Sequence, residues 1–244
     1  MAAKKKRATS SKTKSGKRKS VLVVWGGWSG HTPEACADVV APWLKSKGYR
    51  VVVSDSMEIY ANKRRMRNFD LIVPIWTMGE ITGEQWAGLN DAVLNGAAVA
   101  GWHGGMCDAF RNNTGYQFMT GGQWVDHPGG IIRYKVNITD DRDPITRGLK
   151  DFWMKSEQYY MHTDPGNDVL ATTTFSGRHG DIPWIKGTVM PVIWKRKYGK
   201  SRIFYSSLGH VADEFTQVPE VFEIVKRGIM WAMGEKIVPE YQSQ

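Results

Sequence analysis

Gly101-Trp102-His103-Gly104-Gly105 follows the apolar run Ala97-Ala98-Val99-Ala100 and precedes Met106-Cys107-Asp108-Ala109-Phe110. Glycines around one functional side chain allow the sharp strand-to-helix turn of a nucleophile elbow, which holds that side chain exposed at the strand's carboxyl end. The side chain here is an imidazole, which binds a metal ion or moves a proton but replaces a Ser or Cys nucleophile poorly. Two more histidines stand just past apolar runs: His31, after Val21 to Trp25 and Gly26-Gly27-Trp28-Ser29-Gly30, and His210, after Arg202 to Leu208 and Gly209. If these strand ends meet, His31, His103 and His210 have the ligand types of a zinc or similar divalent site, with a carboxylate such as Glu157 completing it or acting as base. His103, His210 and Glu157 are therefore the catalytic candidates. His127, His162 and His179 are expected only to be hydrogen-bonded in place. Trp28, Trp76, Trp102 and Trp124 lie on or beside the strand-end loops, where their rings could stack on the apolar face of a sugar. Tyr159, facing the same way as Glu157 on an extended segment, joins them as a substrate-binding candidate.

The elements that must position these groups follow from periodicity and punctuation. Val21 to Trp25 is apolar without alternation, as in a strand buried on both faces of a parallel sheet. Thr32-Pro33-Glu34 opens a helix with Thr32 as N-cap, and Gly48 stops it. Strands are predicted over 49–54 and 69–76, with a short helix or loop between them carrying Lys63, Arg64, Arg65 and Arg67 as a solvated face. Thr82-Gly83-Glu84-Gln85 is a capping-box start for a helix reaching Asn95-Gly96, after which a strand delivers His103. Residues 112–130 read as a turn-rich loop. Strands are expected over 131–139 and 169–175, an extended segment over 152–162, a loop over 176–187 and a hairpin of 190–194 with 202–208. The helix over 218–233 carries Val221, Phe222, Val225 and Ile229 at helical spacing and is assigned to packing. Strands alternating with helices predict a doubly wound α/β sheet, at whose carboxyl edge ligands collect.

The chain has 244 residues and a formal net charge of +9. Nine of its 33 Lys and Arg lie in residues 1–20, which hold no acid, so the remaining 24 balance 24 Asp and Glu. Residues 1–20 also lack any apolar side chain larger than Ala after Met1, which predicts a disordered basic tail. That tail reads as a solubilising extension, or as a nuclear-import or nucleic-acid patch; nucleic acid is expected to be reached only through it. The expected organisation is a basic tail over 1–20, one domain over 21–238 and a C-terminal tail over 239–244. No apolar stretch has the length of a membrane span and no secretory h-region is evident, so the expected setting is the cytoplasm. Cys36 and Cys107 form neither a CxxC nor a disulfide framework.

These residues occur in the order seen in one known family. The His-bearing loop after the first strand, Gly101 to Gly105, Gly121-Gly122 with His127-Pro128, Asp143-Pro144-Ile145 with Gly148-Leu149, and Glu157 with Tyr159-Tyr160 come first. Pro191-Val192-Ile193-Trp194, Gly199 with Arg202, Gly209-His210 and Gly228-Ile229-Met230-Trp231-Ala232 complete the series. Over roughly 21–234 the chain resembles the ThuA-like family, named for trehalose utilisation. The resemblance implies the class I glutamine-amidotransferase-like fold, a flavodoxin-like three-layer α/β/α sandwich with a mostly parallel sheet. By position, His103 stands where an amidotransferase has its cysteine, and His210 where it has the activating histidine. Cys107, four residues on, is no substitute, so glutamine hydrolysis is not expected. Where the family often has His-Pro-Ile, this chain has Asp143-Pro144-Ile145.

The family's name and the candidate chemistry together imply a carbohydrate enzyme acting on a sugar or keto-disaccharide with a divalent metal ion. Alternatives are a non-catalytic sugar- or partner-binding module on the same scaffold, and a nucleic-acid-associated protein working through its tail. A homo-oligomer is also compatible with the sequence.

Overall fold

The computed structural model describes residues 18–241 and residue 243. Val21, Leu22, Val23 and Val24 are all fully buried, although side chains of a strand alternate between faces. Both faces of that strand must therefore be covered. Val21 and Val23 join one apolar core with helix residues such as Cys36, Val40, Leu44, Ile224 and Ile229. Leu22 and Val24 join another with Tyr60, Met66, Leu89, Val93 and Met119.

The strands are β1 (Ser20–Gly27), β2 (Arg50–Ser54), β3 (Leu71–Thr77), β4 (Ala98–Trp102), β5 (Gly122–Asp126), β6 (Ile131–Ile138), β7 (Phe152–Glu157), β8 (Tyr160–Thr163), β9 (Asp168–Thr174), β10 (Val189–Tyr198) and β11 (Ser201–Ser206). The helices are α1 (Pro33–Ser46), α2 (Glu58–Ala61), α3 (Lys63–Met66), α4 (Gly83–Leu94), α5 (Gly104–Cys107), α6 (Thr114–Thr120), α7 (Glu214–Gln217) and α8 (Pro219–Ala232). Nine strands form one sheet in the order β2-β1-β3-β4-β11-β10-β9-β6-β7, and β5 pairs with β8 separately. The expected parallel arrangement holds from β2 to β11. From β11 to β7 every pairing is antiparallel, so the sheet is mixed and not mostly parallel. The Tyr198-Gly199-Lys200 turn forces this switch, because a short hairpin can join only antiparallel strands.

Three local expectations are corrected. Thr32 precedes α1 but does not cap it; it sits at φ 45°, and its hydroxyl accepts from the Ala212 amide at 3.0 Å. The capping box of α4 is present, with Gln85 N donating to Thr82 Oγ1 at 3.2 Å and Thr82 N to Gln85 Oε1 at 2.9 Å. Residues 112–130 are not one loop: Asn113 accepts from Tyr116 N to start α6, Gly121 at φ 83° ends it, and β5 follows. The extended segment 152–162 breaks at Gln158-Tyr159, where the chain leaves the large sheet for the small one.

Both proposed tails reach the fold. Ser20 begins β1, Arg18 donates to the carbonyls of Gly48 and Tyr49, and Lys19 pairs with Glu235, while residues 1–17 lie outside the described residues. At the other end, buried Arg227 pairs with Glu223 and donates to the carbonyls of Ile145, Arg147 and Tyr241. Ser243 N also donates to the Gly148 carbonyl. Among the described residues no helix is long and apolar enough to cross a membrane.

Helix α8 lies so close to β11 that a Cβ at Gly228 would fall 2.2 Å from the buried Phe204 ring. Gly228→Ala should therefore cost about 1–3 kcal/mol through overpacking, read as a lower denaturant midpoint at unchanged slope.

Candidate metal centre at the strand ends

β4 delivers His103 at φ 46°, ψ −144°, a conformation that a non-glycine residue adopts only at a cost of about 1–3 kcal/mol. The His103 amide donates to the Ser206 carbonyl at 2.7 Å and its carbonyl accepts from Cys107 N at 3.1 Å, which locks the elbow between β11 and α5. Tyr205 Oη adds a third tie, donating to the same carbonyl at 3.1 Å. Gly104 explains the glycine that follows: a Cβ there would lie 2.3 Å from His31 Cε1. The elbow's glycine is thus the space that His31 occupies.

His31 ends a short 3-10 turn, Ser29–His31, and its Nδ1 lies 2.8 Å from Thr77 Oγ1 at the end of β3. His210 follows β11, and its amide donates to Glu214 Oε2 at 3.0 Å. Glu157 is the last residue of β7, with Tyr134 Oη donating to its carbonyl at 3.2 Å. Strands from both the parallel and antiparallel halves of the sheet converge here.

The four side chains meet around Glu157 Oε2. His103 Nε2 is 3.1 Å from it, His210 Nδ1 3.3 Å and His31 Nε2 3.7 Å, while His210 Nδ1 is 3.2 Å from His103 Nε2. All four ligand atoms lie within 4.8 Å of one another. Four ligands bound to zinc at about 2.0–2.2 Å stand about 3.4 Å apart at tetrahedral angles. The four separations given above bracket that value, so the residues fit a divalent ion.

Protonation supports the same fit. His103 Nδ1 lies 2.8 Å from the Ser207 carbonyl, which can only accept, so Nδ1 carries the proton and Nε2 presents a lone pair to the centre. Burial pushes the His103 imidazole down to about 4, against the opposing pull of the Glu157 carboxylate, so it is neutral at neutral pH. Burial alone would raise the Glu157 carboxyl, but the surrounding imidazoles, with His210 and His31 able to donate to it, hold it well below the usual carboxylate range. A lone pair facing a carboxylate is stabilised by positive charge placed between them.

Around the centre, Tyr159 stacks on His103 with ring centroids 4.0 Å apart, and Trp28, 45% exposed, meets His31 edge-on at 4.7 Å. Trp124 lies beside Tyr159 and His127, with ring centroids at 6.3 and 5.7 Å. Trp76 instead covers Gly26 and packs against the second core. Trp102 is a correction: it is 2% exposed and packs on Phe215, so it offers no surface to a ligand. Its strand-end position suggested a binding ring, but as the last residue of β4 its side chain still points into the core.

His127 is the residue that sequence reasoning missed. It was expected to be merely structural, yet its Nε2 lies 3.7 Å from Glu157 Oε1, the oxygen facing away from the cluster, and its side chain is 37% exposed. The His127-Pro128 pair was visible, but nothing local to it points to Glu157. His162 is exposed on β8 and His179 packs beside Gly129.

A sequence model of the ThuA family, described as trehalose utilisation, matches residues 20–232. No curated protein matches the chain. A putative ThuA-like protein from Parabacteroides merdae shares 19% identity and superposes with a TM-score of 0.70 over 93% of this chain and 95% of that one. Another from Bacteroides uniformis gives 14%, 0.70, 93% and 95%. A β-galactosidase from Bacillus circulans sp. alkalophilus gives 10% and 0.56 over 89% of this chain but only 31% of its own.

Two outcomes follow from the geometry. Gly104→Ala should displace His31 and weaken divalent-ion affinity by about 10- to 100-fold, measured by competition with a chromogenic chelator. In chelator-treated protein, folding stability should fall as pH drops from 6.5 toward 4, because the unfolded chain takes up a proton that buried His103 refuses. Melting curves across that window should be flatter for His103→Asn; an identical pH slope would contradict the assignment.

Proposed function

Since the chain belongs to the ThuA, or trehalose utilisation, family, we propose that it is a metal-assisted acid/base enzyme acting on a keto-disaccharide or related sugar. The observation that carries this is the convergence of three imidazoles and one carboxylate at the carboxyl edge of the sheet. The same proposal takes the scaffold as a flavodoxin-like relative of the class I amidotransferases, working in the cytoplasm on a small carbohydrate. Amidotransferase chemistry itself is disfavoured. His103 occupies the elbow, and burial pushes the Cys107 thiol up, leaving no thiolate to attack an amide.

His31, His103 and His210 would hold a divalent ion, with Glu157 as fourth ligand. Such an ion, when bound, supplies Lewis-acid polarisation of a carbonyl oxygen. The remaining chemistry falls to the chain. In a 3-keto glycoside the C2 proton is acidified by the neighbouring carbonyl. A base removes it, the C–H electron pair forms the C1=C2 bond, the C1–O bond breaks, and the departing oxygen takes a proton. His127 suits both proton transfers, because it stands at the open side on Glu157 Oε1, outside the four-ligand set. Trp28 would orient the sugar by stacking and Trp124 would close the side behind His127; Tyr159, expected as a binding ring, is 3% exposed and instead backs the His103 imidazole.

Elemental analysis and turnover of 3-keto-trehalose test the assignment together. The parent should carry near-stoichiometric divalent metal, His103→Ala and His210→Ala should lose both metal and activity, and His127→Ala should keep the metal while kcat falls by about 10²–10⁴-fold. Full activity of His103→Ala and His210→Ala would sink the proposal. Saturable sugar binding without turnover in the parent would mark a binding module instead.

A further inference from the structure

β7 is the outer strand of the large sheet, and its register with β6 sets Ile131 opposite Glu157, Arg133 opposite Lys155 and Lys135 opposite Trp153. Side chains of a strand alternate between faces, so these six share one face of the ribbon, the face that carries the Glu157 carboxylate. The residues between them, Ile132, Tyr134, Val136, Phe152 and Met154, are buried in the core. Beyond Glu157 the shared face is open: Ile131 is 48% and Trp153 52% exposed, and Arg133 and Lys155 are exposed as well. The turn His127-Pro128-Gly129-Gly130 leads directly into Ile131, so the open side of the centre, where His127 stands, continues onto this ribbon.

Two cations on this face work against the pairing that holds them. Arg133 and Lys155 stand directly opposite each other, where Cβ atoms lie about 4.5–5.5 Å apart and like charges destabilise a strand pair. Lys135, next along the face, is neutralised by Asp151 at 2.8 Å. Among the described residues no carboxylate pairs with Arg133 or Lys155. Arg133 instead lies over the Trp153 ring, its guanidinium 4.2 Å from the centroid, a contact that fixes its direction without cancelling its charge. An anion placed between the two cations would remove the repulsion, and a guanidinium fork with an ammonium suits the oxygens of a phosphate or a carboxylate. Lys155 is two residues from Glu157, about 7 Å along the strand, a span that one sugar ring bridges.

We propose that Arg133 and Lys155 bind an anionic group, a phosphate or a carboxylate, borne by the sugar whose reacting carbons lie at the histidine centre. This rests on the carbohydrate function proposed above and specifies an acidic sugar for it. The ribbon sets specificity by charge: a neutral sugar meets only the centre, whereas an anionic one also accepts hydrogen bonds from Arg133 and Lys155 and relieves the repulsion between them.

The test is calorimetric titration of the full chain with glucose beside glucose 6-phosphate and glucuronate, and with trehalose beside trehalose 6-phosphate. At least one anionic sugar should bind on the order of tenfold more tightly than its neutral counterpart, the increment expected from charged hydrogen bonds. That ratio should shrink as salt is added. Arg133→Gln combined with Lys155→Gln, a change confined to exposed side chains, should bring it close to one while metal content stays at the parent's level. Lys155→Glu, which gives Arg133 an internal partner, should do the same and also raise the melting temperature of the sugar-free chain. Equal binding of anionic and neutral sugars by the parent, or a ratio unmoved by both variants, would overturn the anion site while leaving the centre standing. Absence of binding by all five sugars would overturn the carbohydrate function and the anion site with it.

Discussion

A carboxylate buried among three imidazoles costs several kcal/mol unless hydrogen bonds and nearby positive charge compensate it. Glu157 is in that position, and the structure around it is arranged to meet the requirement. Three imidazole nitrogens reach one of its oxygens and a fourth histidine stands near the other. Each imidazole is in turn fixed from outside: His103 by the Ser207 carbonyl, His31 by Thr77, and His210 through its backbone by Glu214. The Glu214 carboxyl is itself pushed up by burial. Preorganisation of this kind aims electron pairs at one point and suits a cation that accepts them.

The same constraint accounts for backbone features that look costly in isolation. His103 takes a positive φ so that its ring leaves β4 toward Glu157, and Gly104 is bare because the His31 ring lies against it. Thr32 gives up capping α1 and accepts instead from Ala212, which ties the His31 loop to the segment bearing His210. Local helix stability is spent at that position to hold two ligand loops together. Farther out, Arg111 is held by Asp108 and lies over the Trp124 ring, extending the ordered surface outward from the centre.

Much of the scaffold was legible in the chain because its signals are local. Unbroken apolar strands, the Thr82–Gln85 capping box, the Tyr198-Gly199-Lys200 hairpin and the glycine-flanked elbow each depend on neighbours within a few residues. Where context decides, the reading failed. Helix α6 is only seven residues long, contains Gly115, and is held by Asn113 and its packing, so the sequence of 112–130 resembled a loop. Trp102 and Trp124 are alike in type and both lie near strand ends, yet Trp102 enters the core against Phe215 and Trp124 lies under a guanidinium.

The sequence by itself determined the ligand types and the turns that carry them: an imidazole on a glycine-flanked elbow, two more past strand ends, and a carboxylate on an extended segment. Side-chain chemistry and glycine's conformational freedom are properties of short stretches, and they survive without knowledge of the fold. Only the tertiary structure decided that the carboxylate of β7, four strands away from β11, returns to the edge where β4 ends, and that its second oxygen meets His127. The break at Gln158-Tyr159 and the antiparallel half of the sheet bring this about. Both depend on pairings between segments far apart in sequence, where no local pattern specifies the partner.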